Sequence, residues 1–317
     1  MNGIYLPCTG GDFIPSPGGM LSMITLEGPQ FTKPVFNPNN ACEFVYQRFD
    51  NSKYQLRRHN FETGEDVLLL DDVSIISKPS WGTNDWIAFD SFPHYRIRAV
   101  HARDQTVVQI SDEIYRLYPM WMPDGDEILY QYSPVLGIPY YLLRVAFNPE
   151  ETPSDQADTL FVGPHRAMSV AANSSIIAGK FETMDNYFFG FAEIQDIDFN
   201  LHVLPPDDFH LVANIFHSCV SPDGTTAYFT TYLNNSDDGL YRVNLDSKTH
   251  EKVLEHCRFS QIKDIDHAPD SESLLIVRQH ERFGYHDDGR PDGKIYQQSR
   301  IYLLDLHTLA ERAVLYE

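Results

Sequence analysis

The sequence predicts an all-β chain built as a six-bladed β-propeller of four-stranded antiparallel blades, and three observations predict it. The first is a degenerate turn met six times, clearest at Met122-Pro123-Asp124-Gly125 and Ser221-Pro222-Asp223-Gly224. Worn copies read Asn37-Pro38-Asn39-Asn40, Ala268-Pro269-Asp270-Ser271, Gly82-Thr83-Asn84-Asp85 and Ala171-Ala172-Asn173-Ser174. The second is the period: anchored on the proline position at 38, 83, 123, 172, 222 and 269, the steps are 45, 40, 49, 50 and 47 residues. Short strands repeating at that spacing are the mark of propeller blades. The third is that no long helical pattern competes with the strands and no linker divides the 317 residues. Radial repetition also explains how so long a chain folds as one unit, because each blade buries itself only against its neighbours.

Within a repeat, the turn joins strands A and B: Pro suits the second position of a type I turn, Asp or Asn the third and Gly the fourth. Strand B follows as an apolar run, as in Glu43-Phe44-Val45-Tyr46, Trp86-Ile87-Ala88-Phe89 and Ala227-Tyr228-Phe229. Strand C recurs as Tyr54-Gln55-Leu56, Tyr95-Arg96-Ile97, Tyr141-Leu142-Leu143, Tyr187-Phe188-Phe189, Leu240-Tyr241-Arg242-Val243 and Ile301-Tyr302-Leu303. It ends in polar turns such as Asp246-Ser247-Lys248-Thr249, and a short strand D closes the unit. Blades covered on both faces explain strands that are continuously apolar rather than alternating. The repeats fall at about 31–70, 76–111, 118–162, 165–205, 215–256 and 259–317, in a single domain. Residues 1–30 form a lead-in, of which Met20 to Leu26 is expected to pair on or cap the last blade and help close the ring. His280 to Gln298 form a polar insertion between strands B and C of the last repeat, read as a solvated hairpin extension.

The net charge of −21 argues against nucleic acid and anionic membrane surfaces as partners, since both are polyanions. No apolar run reaches the length that spans a bilayer, so no membrane insertion is expected. The start lacks a signal peptide, which places the chain as written in the cytoplasm; a trimmed start would allow the periplasm. Cys8, Cys42, Cys219 and Cys257 are scattered without a C-x-x-C, and those on strands read as buried free thiols.

Pro79-Ser80-Trp81, Pro119-Met120-Trp121-Met122-Pro123-Asp124-Gly125 and Cys219-Val220-Ser221-Pro222-Asp223-Gly224 resemble the TolB-type propeller family with its WD-like repeats. The resemblance spans about residues 31–317, strong in two repeats and carried only by phase in the fourth. It implies a six-bladed ring with a funnel along its axis. Members include protein-binding modules of the cell envelope, parts of peptidases and relatives similar to oligogalacturonate lyases, so it does not choose between binding and catalysis.

No G-x-S-x-G, H-E-x-x-H, P-loop or G-x-G-x-x-G is present, which leans the reading away from an enzyme. What remains is positional. Five residues before the turn anchor, the repeats give Lys33, Lys78, Tyr118, Ala167, His217 and Asp264; near the end of strand B they give Arg48, Asp90, Gln131, Lys180, Thr231 and Arg278. Equivalent positions in a ring converge on the axis. Lys33, Lys78, Tyr118, His217, Asp264, Arg48, Lys180 and Arg278 are therefore the candidate ligand-binding set, a positive mouth for a small anionic ligand or a protein segment. The competing reading is that Lys33 and Lys78 pair with Asp90 and Asp264 in ordinary ion pairs lining a wet channel. His267 occupies the slot of Phe36, Trp81 and Trp121 and reads as inter-blade packing. No cofactor is expected. In lyase-like relatives, histidines at the funnel bind a divalent metal; the residues here that would have to converge include His217, Asp264, Asp266 and His267, with His280 or His286 from the long loop. Tyr132, Tyr140, Tyr141, Tyr187 and Tyr232 offer stacking surfaces or inter-blade packing. The leading function is a recognition module; the alternative is a metal-assisted carbohydrate lyase or hydrolase, and a third reading makes the ring an assembly platform.

Overall fold

The computed structural model describes residues 23–134, 141–151, 157–162, 165–171, 173–182, 187–194, 202–203, 215–231, 239–255, 260–286 and 291–315. Cys8, Tyr140, Ala172, Tyr232, Cys257 and residues 287–290 lie outside them, as do the side chains of Ala167 and Tyr187.

A short strand, β1 (Met23–Leu26), precedes the ring. Blade 1 is β2 (Gln30–Asn37), β3 (Asn40–Asp50), β4 (Lys53–Asn60) and β5 (Asp66–Asp71). Blade 2 is β6 (Ser80–Trp81), β7 (Trp86–Ser91), β8 (Arg96–His101) and β9 (Val107–Gln109). Blade 3 is β10 (Arg116–Trp121), β11 (Glu127–Tyr132), β12 (Tyr141–Ala146) and β13 (Asp158–Val162). Blade 4 is β14 (His165–Val170), β15 (Ile176–Glu182), β16 (Tyr187–Glu193) and β17 (His202–Val203). Blade 5 is β18 (Ile215–Val220), β19 (Thr226–Thr231), β20 (Gly239–Asn244) and β21 (Thr249–Glu255). Blade 6 is β22 (Ser260–His267), β23 (Ser273–Tyr285), β24 (Pro291–Asp305) and β25 (Glu311–Leu315). Each blade is an antiparallel meander in chain order, and no helix occurs among the described residues.

The turn at the A–B corner has one geometry wherever it is best kept. Gly125 N–H donates to the Met122 carbonyl and Gly224 N–H to that of Ser221, each at 2.9 Å, and both glycines are left-handed at φ 76° and 74°. This is a type I turn followed by one left-handed residue, a common hairpin closure that favours Gly there. Asp85 and Ser271 hold the same place in worn copies and take the same conformation, at φ 65° each. The third residue is Asp or Asn because its side chain accepts the main-chain N–H two residues on: Asp124 from Asp126, Asp223 from Thr225, Asn84 from Trp86, Asp270 from Glu272. The turns also hold one another. Asn39 donates to the Thr83 carbonyl at 2.9 Å, Asn84 to that of Gly125 at 2.6 Å, and Asn173 N–H to that of Pro222 at 2.9 Å.

Alternation along strand B divides its side chains between two neighbours, so the core lies between blades rather than within them. Phe44 and Tyr46 pack toward blade 6 with Leu275, Val277 and Ile301, whereas Val45 between them packs toward blade 2 with Ile87, Phe89 and Val100. Four further apolar clusters fill the seams 2–3, 3–4, 4–5 and 5–6. Six seams close the ring.

Blade 6 draws its four strands from one consecutive stretch, and β1 adds to it in parallel, Met23 to Leu26 facing Lys294 to Gln297 on β24. β24 has room for both β1 and β25 on one edge because β23 and β24 run on past the blade, paired as far as Tyr285 and Pro291. The insertion is thus a hairpin extension, and β1 pairs along it. Closure onto blade 1 runs through Gln30, whose amide donates to the Glu27 and Gly28 carbonyls and whose Oε1 accepts Ser299 N–H at 2.9 Å. An ion pair between Arg282 and Glu27 adds to it.

Candidate functional site at the axial cavity

The innermost strands enclose an axial cavity of about 320 Å³. Lys33, Lys78, Tyr118 and His217 line its mouth, and Trp81, Met120, Trp121, Met122 and a set of turn prolines line the throat below. Four of the eight predicted residues therefore come together on the axis, from blades 1, 2, 3 and 5.

The mouth owes its shape to a recurrent bulge in strand A. The register with strand B shifts between Thr32 and Val35, Leu117 and Met120, Arg166 and Ser169, Ile215 and Ser218, and Ile262 and Asp264. At the bulge Lys33 and Tyr118 take φ values of 55° and 54°. A bulge frees a main-chain N–H from its own ladder and re-aims it. Here the freed N–H crosses to the preceding blade: Lys33 N–H donates to Asp264 Oδ2 at 3.2 Å, and Tyr118 N–H to Ser77 Oγ at 3.1 Å and Asp90 Oδ2 at 3.2 Å. A second level of crossing lies two to three residues deeper, where Phe36 N–H donates to Asp266 Oδ2 at 2.8 Å and Trp121 N–H to Ser80 Oγ at 3.0 Å.

Three carboxylates around the mouth are thereby inter-blade ties. Asp90 is fully buried and accepts from Ile76 N–H at 3.0 Å and Ser77 N–H at 2.9 Å, besides Ser77 Oγ and Tyr118. Burial pushes its carboxyl up against the pull of those donors. Asp264 faces His217, Nδ1 to Oδ1 at 2.8 Å. Burial works to raise Asp264, yet His217 and Lys33 outweigh it and hold the carboxyl below its ordinary value. Asp266 takes the Lys78 ammonium, which reaches from blade 2 past blade 1 and also donates to the Ile265 carbonyl at 2.7 Å.

Lys33 differs. Its ammonium donates to Gln47 Oε1 at 3.2 Å and to the Ile75 carbonyl, and no carboxylate among the described residues lies within ion-pair distance of it. Burial pulls its pKa down, against the more distant charges of Asp264 and Asp90. The predicted pairing of lysines with acids is thus realised for Lys78 with a different acid, and for Lys33 only through its main chain.

Arg48, Lys180 and Arg278 do not line the cavity. They stand on strand B, one strand out from the axis, where side chains turn toward neighbouring blades. Arg48 pairs with Asp50 at 3.0 Å, and Arg278 forms a two-pronged contact with Glu311 on β25 and donates to the Ser260 carbonyl at 3.0 Å. Lys180 stands opposite Phe189 on β16.

His267 is buried against Tyr228 of blade 5, ring centroids 5.5 Å apart, with Nδ1 at 2.8 Å from the Ala268 carbonyl. Burial lowers its pKa. His280 bonds the Tyr302 hydroxyl at 2.9 Å, and His286 is exposed beyond the hairpin strand. Among the described residues, no three His, Cys, Asp or Glu side chains form a cluster that could hold a metal ion, so His217, Asp266 and His267 are not brought together as ligands.

The throat was missed by sequence reasoning, although its signal was present. Three residues before each turn anchor stand Val35, Ser80, Met120, Ser169, Cys219 and Asp266. All six line the cavity. One charge among small and apolar residues at a repeated position marks Asp266 as an unusual residue facing the axis.

No protein-family model matches the chain, and no curated protein is similar to it in sequence. Solved structures share its fold. A putative TolB from Agrobacterium tumefaciens matches with a TM-score of 0.62 at 10% identity, over 82% of this chain and 88% of that one. TolB from Acinetobacter baumannii matches with a TM-score of 0.58 at 15% identity, over 69% of this chain; the match spans about half of that protein, 53%. The propeller domain of the Trilobed protease from Pyrococcus furiosus, described as having an open velcro topology, matches with a TM-score of 0.54 at 11% identity, over 90% and 82% of the two chains. The chain is a six-bladed propeller, and in fold it is similar to the TolB structures.

Proposed function

We propose that the chain is a recognition module that takes a protein segment at the mouth of its axial cavity. One observation carries the reading: the six inner strands line a concave site with a polar rim and a throat in which Trp81, Met120, Trp121 and Met122 stand beside Asp266. A volume of about 320 Å³ is at the lower end of the range that holds a ligand or a few side chains. Rims of this kind orient an occupant through polar groups while the throat supplies apolar burial.

A protein segment suits the rim better than a free small anion. Lys78 is neutralised by Asp266, and the buried carboxylates Asp90 and Asp264 stand close to Lys33, so an isolated anion meets little uncompensated positive charge. A segment brings neutral hydrogen-bonding groups to Tyr118 and His217 and an apolar side chain to Trp81 and Trp121. The protein partners of TolB-type propellers support the same reading by analogy of fold.

Selection of a random linear-peptide display library on the purified chain tests it. Enriched peptides are expected, and Tyr118→Ala and His217→Ala should each weaken them about tenfold or more, as substitutions at binding hot spots do. Peptides that bind both variants as tightly as the parent place the site elsewhere; a library that yields no enriched peptide contradicts the recognition reading itself.

A further inference from the structure

The amine of Lys33 is built differently from every other cation at the mouth. Lys33 lines the axial cavity, and among the described residues its amine meets two neutral acceptors, Gln47 Oε1 and the Ile75 carbonyl. An ammonium has three hydrogens to place, and a neutral amine has two. The two acceptors match the two hydrogens of the neutral form. Lys78, in the same cavity, is the opposite case: its nitrogen meets the Asp266 carboxylate.

We propose that Lys33 is a carbonyl-capturing amine that condenses with a small apolar aldehyde entering the axial cavity. The nitrogen lone pair forms the C–N bond to the carbonyl carbon; the two amine hydrogens leave with the carbonyl oxygen as water, and the product is an imine. No oxidant or reductant is required. The aldehyde is apolar because Val35, Phe36 and Trp81 line the same cavity and because Asp264 and Asp90 lie near enough to act on Lys33 electrostatically, which disfavours a carbonyl compound carrying its own carboxylate. Desolvation favours the uncharged amine in the same direction, as it does in enzymes that use a lysine nucleophile. This capture is separate from the recognition of a protein segment, and neither requires the other.

The test uses the full chain, butanal and sodium cyanoborohydride at neutral pH, with butylated lysines located by peptide mass mapping. Eight lysines make the map simple. Lys33 should be labelled several-fold faster than Lys78, whose nitrogen is held by the Asp266 carboxylate. Lys33→Met should remove the fast phase and leave labelling of exposed Lys53 unchanged. With glyoxylate in place of butanal, the rate at Lys33 relative to Lys53 should fall. Equal rates at Lys33 and Lys78, or no label at Lys33 while Lys53 reacts, overturn the proposal. A higher relative rate with glyoxylate overturns the assigned class of ligand.

Discussion

His217 Nδ1 and Asp264 Oδ1 stand 2.8 Å apart across the seam between blades 5 and 6, and the other oxygen of Asp264 accepts the Lys33 main-chain N–H of blade 1. One carboxylate thus ties three blades at the mouth, including the junction where the two ends of the ring meet.

The first prediction concerns that tie. Asp264 is depressed in the folded state, so its contribution to stability is present above the ordinary carboxylate value and is lost as pH falls through the depressed one. Asp264→Asn should cost about 3 kcal/mol at neutral pH, as loss of one partner from a buried ionic contact does. Urea unfolding at neutral pH and down through the carboxylate range checks it. The variant should also lose the part of the acid limb that lies below the ordinary carboxylate value.

His280 gives a second pH dependence, in a different window. Burial, with Arg278 and Arg300 beside it, lowers its pKa from 6.5 to about 4. The unfolded chain binds that proton first, so stability should fall as pH drops from 6.5 toward 4. After solvent screening, the loss should be about 2 kcal/mol, and His280→Gln should flatten that limb. Denaturant midpoints at a series of pH values measure it.

Legibility in the sequence followed physical cause. The turn residues were readable because each serves a local need: Pro fixes a φ, Asp124 or Asp223 accepts a nearby N–H, and Gly125 or Gly224 takes a left-handed φ. Lys33, Lys78, Tyr118 and His217 were readable because equivalent positions in a ring converge on its axis. Arg48 and Arg278 misled the same argument, since one strand out from the axis the side-chain direction is set by alternation and by neighbours such as Glu311. The bulge at Lys33 and Tyr118, and the crossing hydrogen bonds it frees, had no local signature. They depend on a carboxylate from another blade, as distant in sequence as Asp264 is from Lys33.

The turns supply a third prediction. Gly224→Ala should cost about 1–2 kcal/mol from its left-handed φ alone, and more because the added methyl would collide with the Ser174 and Ile176 side chains. Ser271→Gly relieves the same conformation in a worn copy and should gain about 0.5 kcal/mol. Thermal unfolding of the two single variants should therefore move in opposite directions.

Ring closure gives the fourth. Gln30→Ala removes the acceptor of the buried Ser299 N–H and should cost about 1–3 kcal/mol. Hydrogen exchange at Ser299 should accelerate, while exchange in strand B of blade 3 stays unchanged.

The central claim, that a protein segment is recognised at the axial mouth, is tested most directly by photo-crosslinking. A peptide selected on the parent chain and carrying a benzophenone side chain is irradiated in the complex, and the adducts are located by mass spectrometry. The account predicts adducts at the rim and throat, on Lys78, Tyr118, Met120 or His217. Adducts confined to the β23–β24 hairpin or to the outermost strands β5, β9, β13 and β21 would contradict it.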